Sequence, residues 1–153
     1  MDALDSHDIA ILAALQRDGK MSLQDLAREV NLSTSPCWRR VRKLEENGTI
    51  AQYTAILDAR KIGINTQAYI HISLLDHTQT TIDAFDAFVA REEQIVECAS
   101  ITGSDDYLLK IVAKDPEDLE TFLMKGILSL GIVRSSTTHF VLRQKKQSTF
   151  LPL

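Results

Sequence analysis

The chain has 153 residues, of which 44% are hydrophobic and 25% are charged, and its formal net charge is −4. This length is enough for one ordinary core or two small ones, and the negative charge argues against adhesion of the whole surface to nucleic acid. No apolar run approaches the length of a membrane span, and the N-terminus lacks the cationic start of a signal peptide. We therefore expect a cytoplasmic protein without a membrane segment, whose two cysteines are reduced.

The first third of the sequence predicts three helices. Asp5 has the character of an N-cap for the first helix, and Ser22 begins the second. The short stretch VNLS then leads into a third helix, which is capped by Ser33 or Ser35 and ends at Gly48. Two helices joined by a tight turn indicate a helix-turn-helix.

The third helix has two unlike faces. At about 100° per residue, Cys37, Val41 and Leu44 fall on one side, which predicts that this side contacts the core. The opposite side carries Arg39, Arg42 and Lys43, and Arg40 and Trp38 lie on the two flanks, so four of the five residues from Arg39 to Lys43 are cationic. Because a DNA major groove admits one helix and is lined by phosphates, this pattern predicts DNA binding, and a solvated charged face is the alternative. The residues assigned to DNA contact are Ser22, Gln24, Thr34, Ser35, Trp38, Arg39, Arg40, Arg42 and Lys43.

The segment that follows the third helix separates two domains. TIAQYTAILD predicts a strand and a linker, and RKIGINT marks a boundary. We divide the chain into a DNA-binding domain at residues 1–50, a strand and linker at 51–66, and a second domain at 67–153.

The second domain changes from helical to mixed periodicity. AYIHISLL alternates and predicts a strand, and QIVECASIT and YLLKIVA predict two more strands around the turn GSDD. Two amphipathic helices and a final strand, VRSSTTHFVLRQ, complete the order β-α-β-β-α-β. This order closes as a ferredoxin-like antiparallel sheet with two helices on one face, so the predicted fold class is α+β.

The turn in TGSDDYLL places two carboxylates, Asp105 and Asp106, beside the flexible Gly103. No set of His, Cys or Glu accompanies them at metal-ligand spacing, and a polar turn is the ordinary interpretation. A carboxylate on a rigid hairpin can, however, hold an ammonium, and free backbone N–H groups can hold a carboxylate, which together suit a free α-amino acid. We predict no catalytic and no metal-binding residue. The four histidines share no motif and are predicted to be surface or sheet residues.

Four stretches, in this order, resemble the Lrp/AsnC family of leucine-responsive, or feast/famine, transcriptional regulators. LDSHDIAILAALQRDGKMSLQDLAREVNLS resembles the opening helices of the family, and LSTSPCWRRVRKLEENGTI resembles its recognition helix. VECASITGSDDYLLKI is similar to the family's effector-domain hairpin, whose hallmark is Gly-x-x-Asp-Tyr, and THFVLRQKKQSTFLPL is similar to its ending.

The resemblance implies a winged helix-turn-helix followed by an effector-binding domain. It also implies homodimers that pair through the C-terminal sheets and often assemble into octamers, with an amino acid bound at the contacts between dimers. Carried onto this sequence, the effector contacts are expected at Ser100, Thr102, Gly103, Ser104, Asp105, Asp106 and Tyr107 around the hairpin, and at Ser135, Ser136, Thr137 and Thr138 on the last strand.

We therefore predict a regulator that binds double-stranded DNA with sequence specificity and responds to a small amino acid, with leucine or another aliphatic amino acid as the expected effector. No cofactor and no enzymatic activity are expected. One alternative is an enzyme similar to the sirohaem decarboxylases, which share the two-domain fold but need a tetrapyrrole pocket. Another is an amino-acid sensor that binds protein partners instead of DNA.

Overall fold

The computed structural model describes residues 3–153 and divides the chain into two compact units. The first unit reaches Ile56 and also contains Lys146–Leu153, and the second unit is Leu57–Lys145. The sequence analysis assigns residues 146–153 to the second domain, because nothing in their composition indicates that the chain returns to the first. Each unit has its own cluster of buried apolar side chains.

The first unit contains three helices, which are α1 (Ser6–Arg17), α2 (Leu23–Glu29) and α3 (Thr34–Glu46). Asp5 caps α1 as predicted, because its carboxylate accepts the backbone N–H of Asp8 at 3.0 Å while the Asp8 carboxylate accepts that of Asp5 at 3.3 Å. The N-cap residue of α3 is Ser33 rather than Ser35. This resolves the alternative that the sequence left open.

A left-handed residue closes α2 and turns the chain toward α3. Asn31 has a φ of 55°, which asparagine tolerates better than other side chains. Its N–H donates to the Arg28 carbonyl at 3.3 Å, and the N–H of Leu32 donates to the Ala27 carbonyl at 2.8 Å. These two bonds form a Schellman motif, so the tight turn of the helix-turn-helix is fixed by backbone geometry.

The core of the first unit is small and closely packed. Ile11, Ala14 and Cys37 are fully buried, and Leu26 and Leu44 are 2% exposed. Cys37 and Leu44 are two of the three residues predicted to anchor α3, and the third, Val41, packs against the same cluster. Burial raises the pKa of the Cys37 thiol, which keeps it a neutral, small apolar group.

The predicted strand after α3 is not formed. Residues 51–58 have no regular secondary structure, and the next element along the described chain is a short 3-10 helix at Ala59–Ile62. The sequence pattern is right for an extended segment. A strand also requires a neighbour for its backbone hydrogen bonds, however, and propensity alone does not supply one.

The second unit is a four-stranded antiparallel sheet in the order β2-β3-β1-β4, which confirms the predicted ferredoxin-like arrangement. The strands are β1 (Thr66–Leu74), β2 (Ile95–Ser100), β3 (Tyr107–Ala113) and β4 (Val133–Phe140), and the helices are α4 (Gln79–Arg91) and α5 (Pro116–Phe122). The chain continues from α5 through a π-helical turn at Leu123–Ile127 and a 3-10 turn at Leu128–Leu130.

One face of this sheet packs against both helices. Ile70 and Ile72 of β1 are fully buried and share a core with Phe85 of α4 and Leu119 of α5. The alternate residues of β1, including His71 and Ser73, therefore lie on the other face of the sheet. The alternation predicted for AYIHISLL is confirmed.

Gln16 of α1 holds the C-terminal segment within the first unit. Its side-chain amide donates to the Leu151 carbonyl at 3.1 Å, and its carbonyl oxygen accepts the Leu151 N–H at 2.7 Å. Removing both bonds in Gln16→Ala should weaken docking of the segment by about 1 kcal/mol, so that chymotrypsin cuts after Phe150 about fivefold faster. A matched control is Gln79→Ala, since that amide bonds only Asp83 among the described residues and lies in the second unit. Equal cleavage of the two variants would contradict this role.

Candidate nucleic-acid interface and effector hairpin

The outward face of α3 presents polar and cationic side chains to solvent. Six of the predicted DNA-contacting residues are exposed there, which are Thr34, Ser35, Trp38, Arg39, Arg42 and Lys43. Because the opposite face is anchored by buried Cys37 and Leu44, the helix cannot rotate to hide these groups. The arrangement therefore offers a rigid helix with a fixed cationic side.

Arg42 makes two contacts within α3 that leave it accessible. Its Nε lies 2.8 Å from the Glu46 carboxylate, and its guanidinium carbon lies 5.2 Å from the centre of the Trp38 ring. The Arg42 side chain is 58% exposed, and an exposed pair of this spacing stabilises a helix by only about 0.3–0.5 kcal/mol. A phosphate can compete with so weak a partner. The pair is internal to the helix, so it does not tie Arg42 to the rest of the protein.

Arg40 has a different environment from its neighbours. Its guanidinium lies 2.7 Å from the carboxylates of both Asp5 and Asp8, so it joins α3 to the N-terminus of α1. Hydrogen bonds to Asp8 and then Asp5 raise the pKa of Arg40, and the Asp8 N–H, followed by Arg40, lowers the pKa of Asp5. We leave Arg40 out of the interface proposed below, because its charge already has two intramolecular partners.

The contacts of Arg40 with Asp5 and Asp8, which we call the clamp, should stabilise the first unit in a pH-dependent way. Arg40→Ala is expected to lower the thermal midpoint of that unit, which can be followed by the fluorescence of Trp38, the single tryptophan of the chain. The folded-state pKa of Asp5 is lowered, so its contribution is complete above its unfolded pKa and is lost as the pH falls through the folded value. The difference between wild type and variant should therefore shrink below about pH 4.

Arg28→Ala provides the control for the clamp, because Arg28 is also an exposed cation of the first unit and pairs with Asp25 inside its own helix. It should leave the thermal midpoint nearly unchanged. A difference between wild type and Arg40→Ala that stayed constant down to the acid limit would show that the carboxylates are not the cause.

The two predicted contacts from α2 are placed differently from each other. The Ser22 hydroxyl accepts the Asp25 N–H at 3.1 Å and donates to the Asp25 carboxylate at 2.6 Å, so it serves as the cap of α2. Gln24 is exposed on the first turn of the helix. Of the two, only Gln24 extends a side chain without a local task in the cap.

The tip of the β2–β3 hairpin is fastened to the end of β1. The N–H of Asp106 donates to the Ile72 carbonyl at 2.9 Å, and its carboxylate accepts the N–H of Leu74 at 2.7 Å. The Ser73 hydroxyl donates to the Asp105 carboxylate at 3.0 Å. Gly103 has a φ of 126°, a conformation that side chains with a Cβ rarely adopt. These bonds make the hairpin a rigid platform at one end of the sheet.

Two histidines contact the two hairpin carboxylates. His77 Nε2 lies 2.8 Å from Asp106 Oδ1, and His71 Nδ1 lies 3.5 Å from Asp105 Oδ2. The ring of His71 also meets that of His139 edge-on, with 5.4 Å between their centres. The Leu74 N–H is the main cause, followed by His77, of the lowered pKa of Asp106. The sequence analysis did not predict these pairs, because no motif spacing connects the histidines to the hairpin.

The remaining predicted effector residues lie in three different environments. Thr102 is exposed, and the Ser104 hydroxyl donates to Asp105 at 3.1 Å. Tyr107 faces the core, with its ring 4.5 Å from that of Phe85, and burial is the main cause that raises its pKa. Ser100 is paired with Tyr107 across the β2–β3 ladder, so it shares that face.

The last strand presents its four predicted residues in alternation. Ser135 pairs with Ser73 and Thr137 pairs with His71, so both lie on the face of the sheet that carries the partners of Asp105. Two more, Ser136 and Thr138, pair with Ile72 and Ile70 and lie on the helix-packed face. The structure thus brings Ser135 and Thr137 toward the hairpin platform.

A cavity of about 280 Å³ lies elsewhere, between α4 and α5. Its lining includes Phe88, Arg91, Phe122 and Lys125, and none of the predicted effector residues. Within residues 3–153 there is no cluster of three or more metal-ligating side chains, and no helix is long and apolar enough to cross a membrane.

Both units match known protein families. Residues 4–51 match a winged helix-turn-helix DNA-binding model, and residues 67–151 match the Lrp/AsnC ligand binding domain. The leucine-responsive regulatory protein of Haemophilus influenzae is 36% identical over 151 residues, which are 99% of this chain and 91% of that protein. The DNA-binding transcriptional activator DecR of Escherichia coli is 33% identical over 150 residues, which cover 98% and 99%.

Solved structures agree over the same length. A transcriptional regulator of Neisseria meningitidis in complex with L-methionine has a TM-score of 0.95 and 34% identity, with 98% of this chain and 97% of that chain covered. An AsnC family regulator of Agrobacterium tumefaciens has a TM-score of 0.92 and 34% identity, with 97% of each chain covered. The helix-turn-helix, the hairpin platform and these full-length matches lead to one conclusion: the chain belongs to the Lrp/AsnC family of transcriptional regulators, with a DNA-binding and a ligand-binding domain.

Proposed function

We propose that this protein regulates transcription by binding double-stranded DNA with sequence specificity through α3, and that a small amino acid controls that binding. The observation that carries the proposal is the anchored helix. Buried Cys37 and Leu44 fix one side of α3, while Arg39, Arg42 and Lys43 are exposed on the other. Phosphate contacts position such a helix in the major groove, and the exposed Thr34 and Ser35 at its start are small enough to let the backbone approach base edges.

The proposed effector site is the hairpin platform around Asp105 and Asp106. A free amino acid offers an ammonium, which a carboxylate can hold, and a carboxylate, which backbone N–H groups of the turn can hold. The similar regulator from Neisseria meningitidis was crystallised with L-methionine, and one similar regulator is named leucine-responsive. Leucine has a branched and methionine an unbranched side chain, but both side chains are apolar and similar in size. This similarity favours leucine, methionine or another aliphatic amino acid as the effector here.

The proposed assembly is a homodimer that pairs through the sheets of the second unit and associates further, up to an octamer. A single short helix with a few cations binds DNA weakly. Two copies joined in one dimer make the second contact intramolecular, which raises the affinity without any new chemistry. An effector bound where dimers meet can then shift DNA binding, because it prefers one assembly over another. Action on cytoplasmic DNA is part of the same proposal.

Fluorescence anisotropy with the promoter of the protein's own gene tests the proposal, first without additions and then with a panel of L-amino acids. We expect saturable binding that one or more aliphatic amino acids strengthen or weaken. Binding to DNA without any effector response would favour a simple DNA-binding protein. Amino-acid binding without DNA binding would favour the sensor alternative. A protein that binds neither DNA nor any amino acid of the panel would refute the proposal.

A further inference from the structure

The loop that follows β1 brings His77 to the carboxylate of Asp106. The two oxygens of this carboxylate have separate partners, since Oδ2 accepts the Leu74 N–H at 2.7 Å and Oδ1 lies 2.8 Å from His77 Nε2. The Asp106 side chain is 27% exposed and that of His77 is 61% exposed. A carboxylate held at both oxygens has a fixed orientation.

Besides Asp105 and His71 at the hairpin, the charged groups near this pair lie on β4 and in the loop itself. Arg134 of β4 donates to the Leu75 carbonyl at 2.6 Å and acts electrostatically on Asp106, and Asp76 precedes His77 in the loop. The pKa of Asp106 is lowered, mainly by the Leu74 N–H and then by His77, so the carboxylate that His77 holds is charged near neutral pH.

We propose that His77 is a positioning residue of the effector site, which orients the Asp106 carboxylate toward the ammonium of a bound amino acid. This inference rests on the proposed function, and His77 acts through Asp106 rather than by touching the effector. An imidazole that donates from Nε2 holds one carboxylate oxygen while the Leu74 N–H holds the other, so the negative charge is presented in one fixed direction.

The effect of His77 should depend on the ammonium of the effector. The deaminated analogue of the same amino acid has no ammonium for Asp106 to hold, so loss of His77 should not weaken its binding.

Calorimetry with L-leucine and L-methionine on the full-length protein tests the proposal. His77→Ala should bind about fivefold more weakly than wild type, because one side-chain contact of the carboxylate is lost. His77→Gln keeps a side-chain N–H donor, so it should recover most of the affinity that His77→Ala loses. Wild-type affinity in His77→Ala would overturn the proposal, as would a His77→Gln variant that binds as weakly as His77→Ala.

His71→Ala is the matched control, because His71 is the other imidazole at the hairpin and pairs with Asp105. Its affinity for the amino acid should stay close to that of wild type. A loss of affinity in His71→Ala equal to that in His77→Ala would show that the effect does not depend on the contact with Asp106.

Hydrogen exchange of the Leu74 amide separates failure of this inference from failure of the proposed function. That N–H is held by Asp106, so a loosened carboxylate should expose it, and its exchange should be several-fold faster in His77→Ala than in wild type or His71→Ala. If wild type binds no amino acid at any pH, the effector assignment falls, and the exchange rate alone still decides whether His77 positions Asp106. Unchanged exchange in His77→Ala would overturn that role.

Discussion

Replacing both Arg39 and Arg42 by alanine should weaken binding to every DNA sequence by roughly tenfold to a hundredfold for each α3 helix that contacts DNA. Both side chains are exposed on the outward face of α3, and neither is buried in the core that holds the helix. A cation at a phosphate releases a counterion, so each should contribute about −0.9 to the slope of log affinity against log salt. The double variant should flatten the slope by about two units per bound helix, and Arg42→Ala alone by about one.

Anisotropy titrations at several salt concentrations measure both the affinity and the slope. A control that removes the same number of charges from the second unit is the double variant of Lys61 and Arg91, whose side chains are 82% and 71% exposed. It should change the slope little, because only long-range charge is lost. An unchanged slope in the α3 variant would contradict direct phosphate contact, and equal slopes in the two double variants would indicate a net-charge effect.

Arg40→Ala should respond differently from its neighbours in the same assay. Its charge is held by Asp5 and Asp8. Loss of Arg40 should therefore lower the thermal midpoint of the first unit and leave the salt slope of DNA binding nearly unchanged. The sequence places Arg40 at the flank of the cationic face, but a helical projection does not show which group a flanking side chain contacts. Whether a flanking cation meets DNA or an acidic partner depends on where α1 begins, which is a property of packing between helices.

The fold could be predicted from the sequence where local chemistry decides it. The capping box at Asp5 and the alternation in β1 each depend on residues that are close together in the sequence. The order of the elements then restricts the topology to a few choices. The same reasoning fails for residues 51–58, since an extended pattern does not create a partner strand. It also gives no sign of the contact between the tail and α1, where one amide at Gln16 holds Leu151 across 135 positions of sequence.

The candidate site could be predicted only in part, for a related reason. The turn residues Gly103, Asp105 and Asp106 are adjacent in sequence, and their turn chemistry is visible there. His77 precedes Asp106 by 29 positions, and their contact requires that the end of β1 meet the hairpin in one specific register. Strand register is set by the buried faces of the whole sheet, so no short motif reports it.

Asp106→Asn should reduce affinity for the amino-acid effector by about a hundredfold, because it removes the charge that the ammonium meets. The asparagine carbonyl can still accept the Leu74 N–H, so the hairpin should stay fastened to β1. DNA binding without effector should remain close to that of wild type, since Asp106 lies in the second unit and α3 lies in the first. Calorimetry with L-leucine and L-methionine, together with anisotropy on DNA, measures the two properties separately.

Two further variants separate the charge of Asp106 from its structural contact. Asp106→Ala loses the bond to Leu74 as well, so it should also lower the stability of the second unit by about 1 kcal/mol while it removes the effector response. Asp105→Asn is the comparison, because Asp105 occupies a variable position of the motif and its carboxylate contacts Ser73, Ser104 and His71, so it should weaken effector binding less than Asp106→Asn does. If Asp106→Asn bound the effector normally and Asp105→Asn did not, the ammonium would belong to the other carboxylate, and the role assigned to Asp106 would be limited to fastening the hairpin.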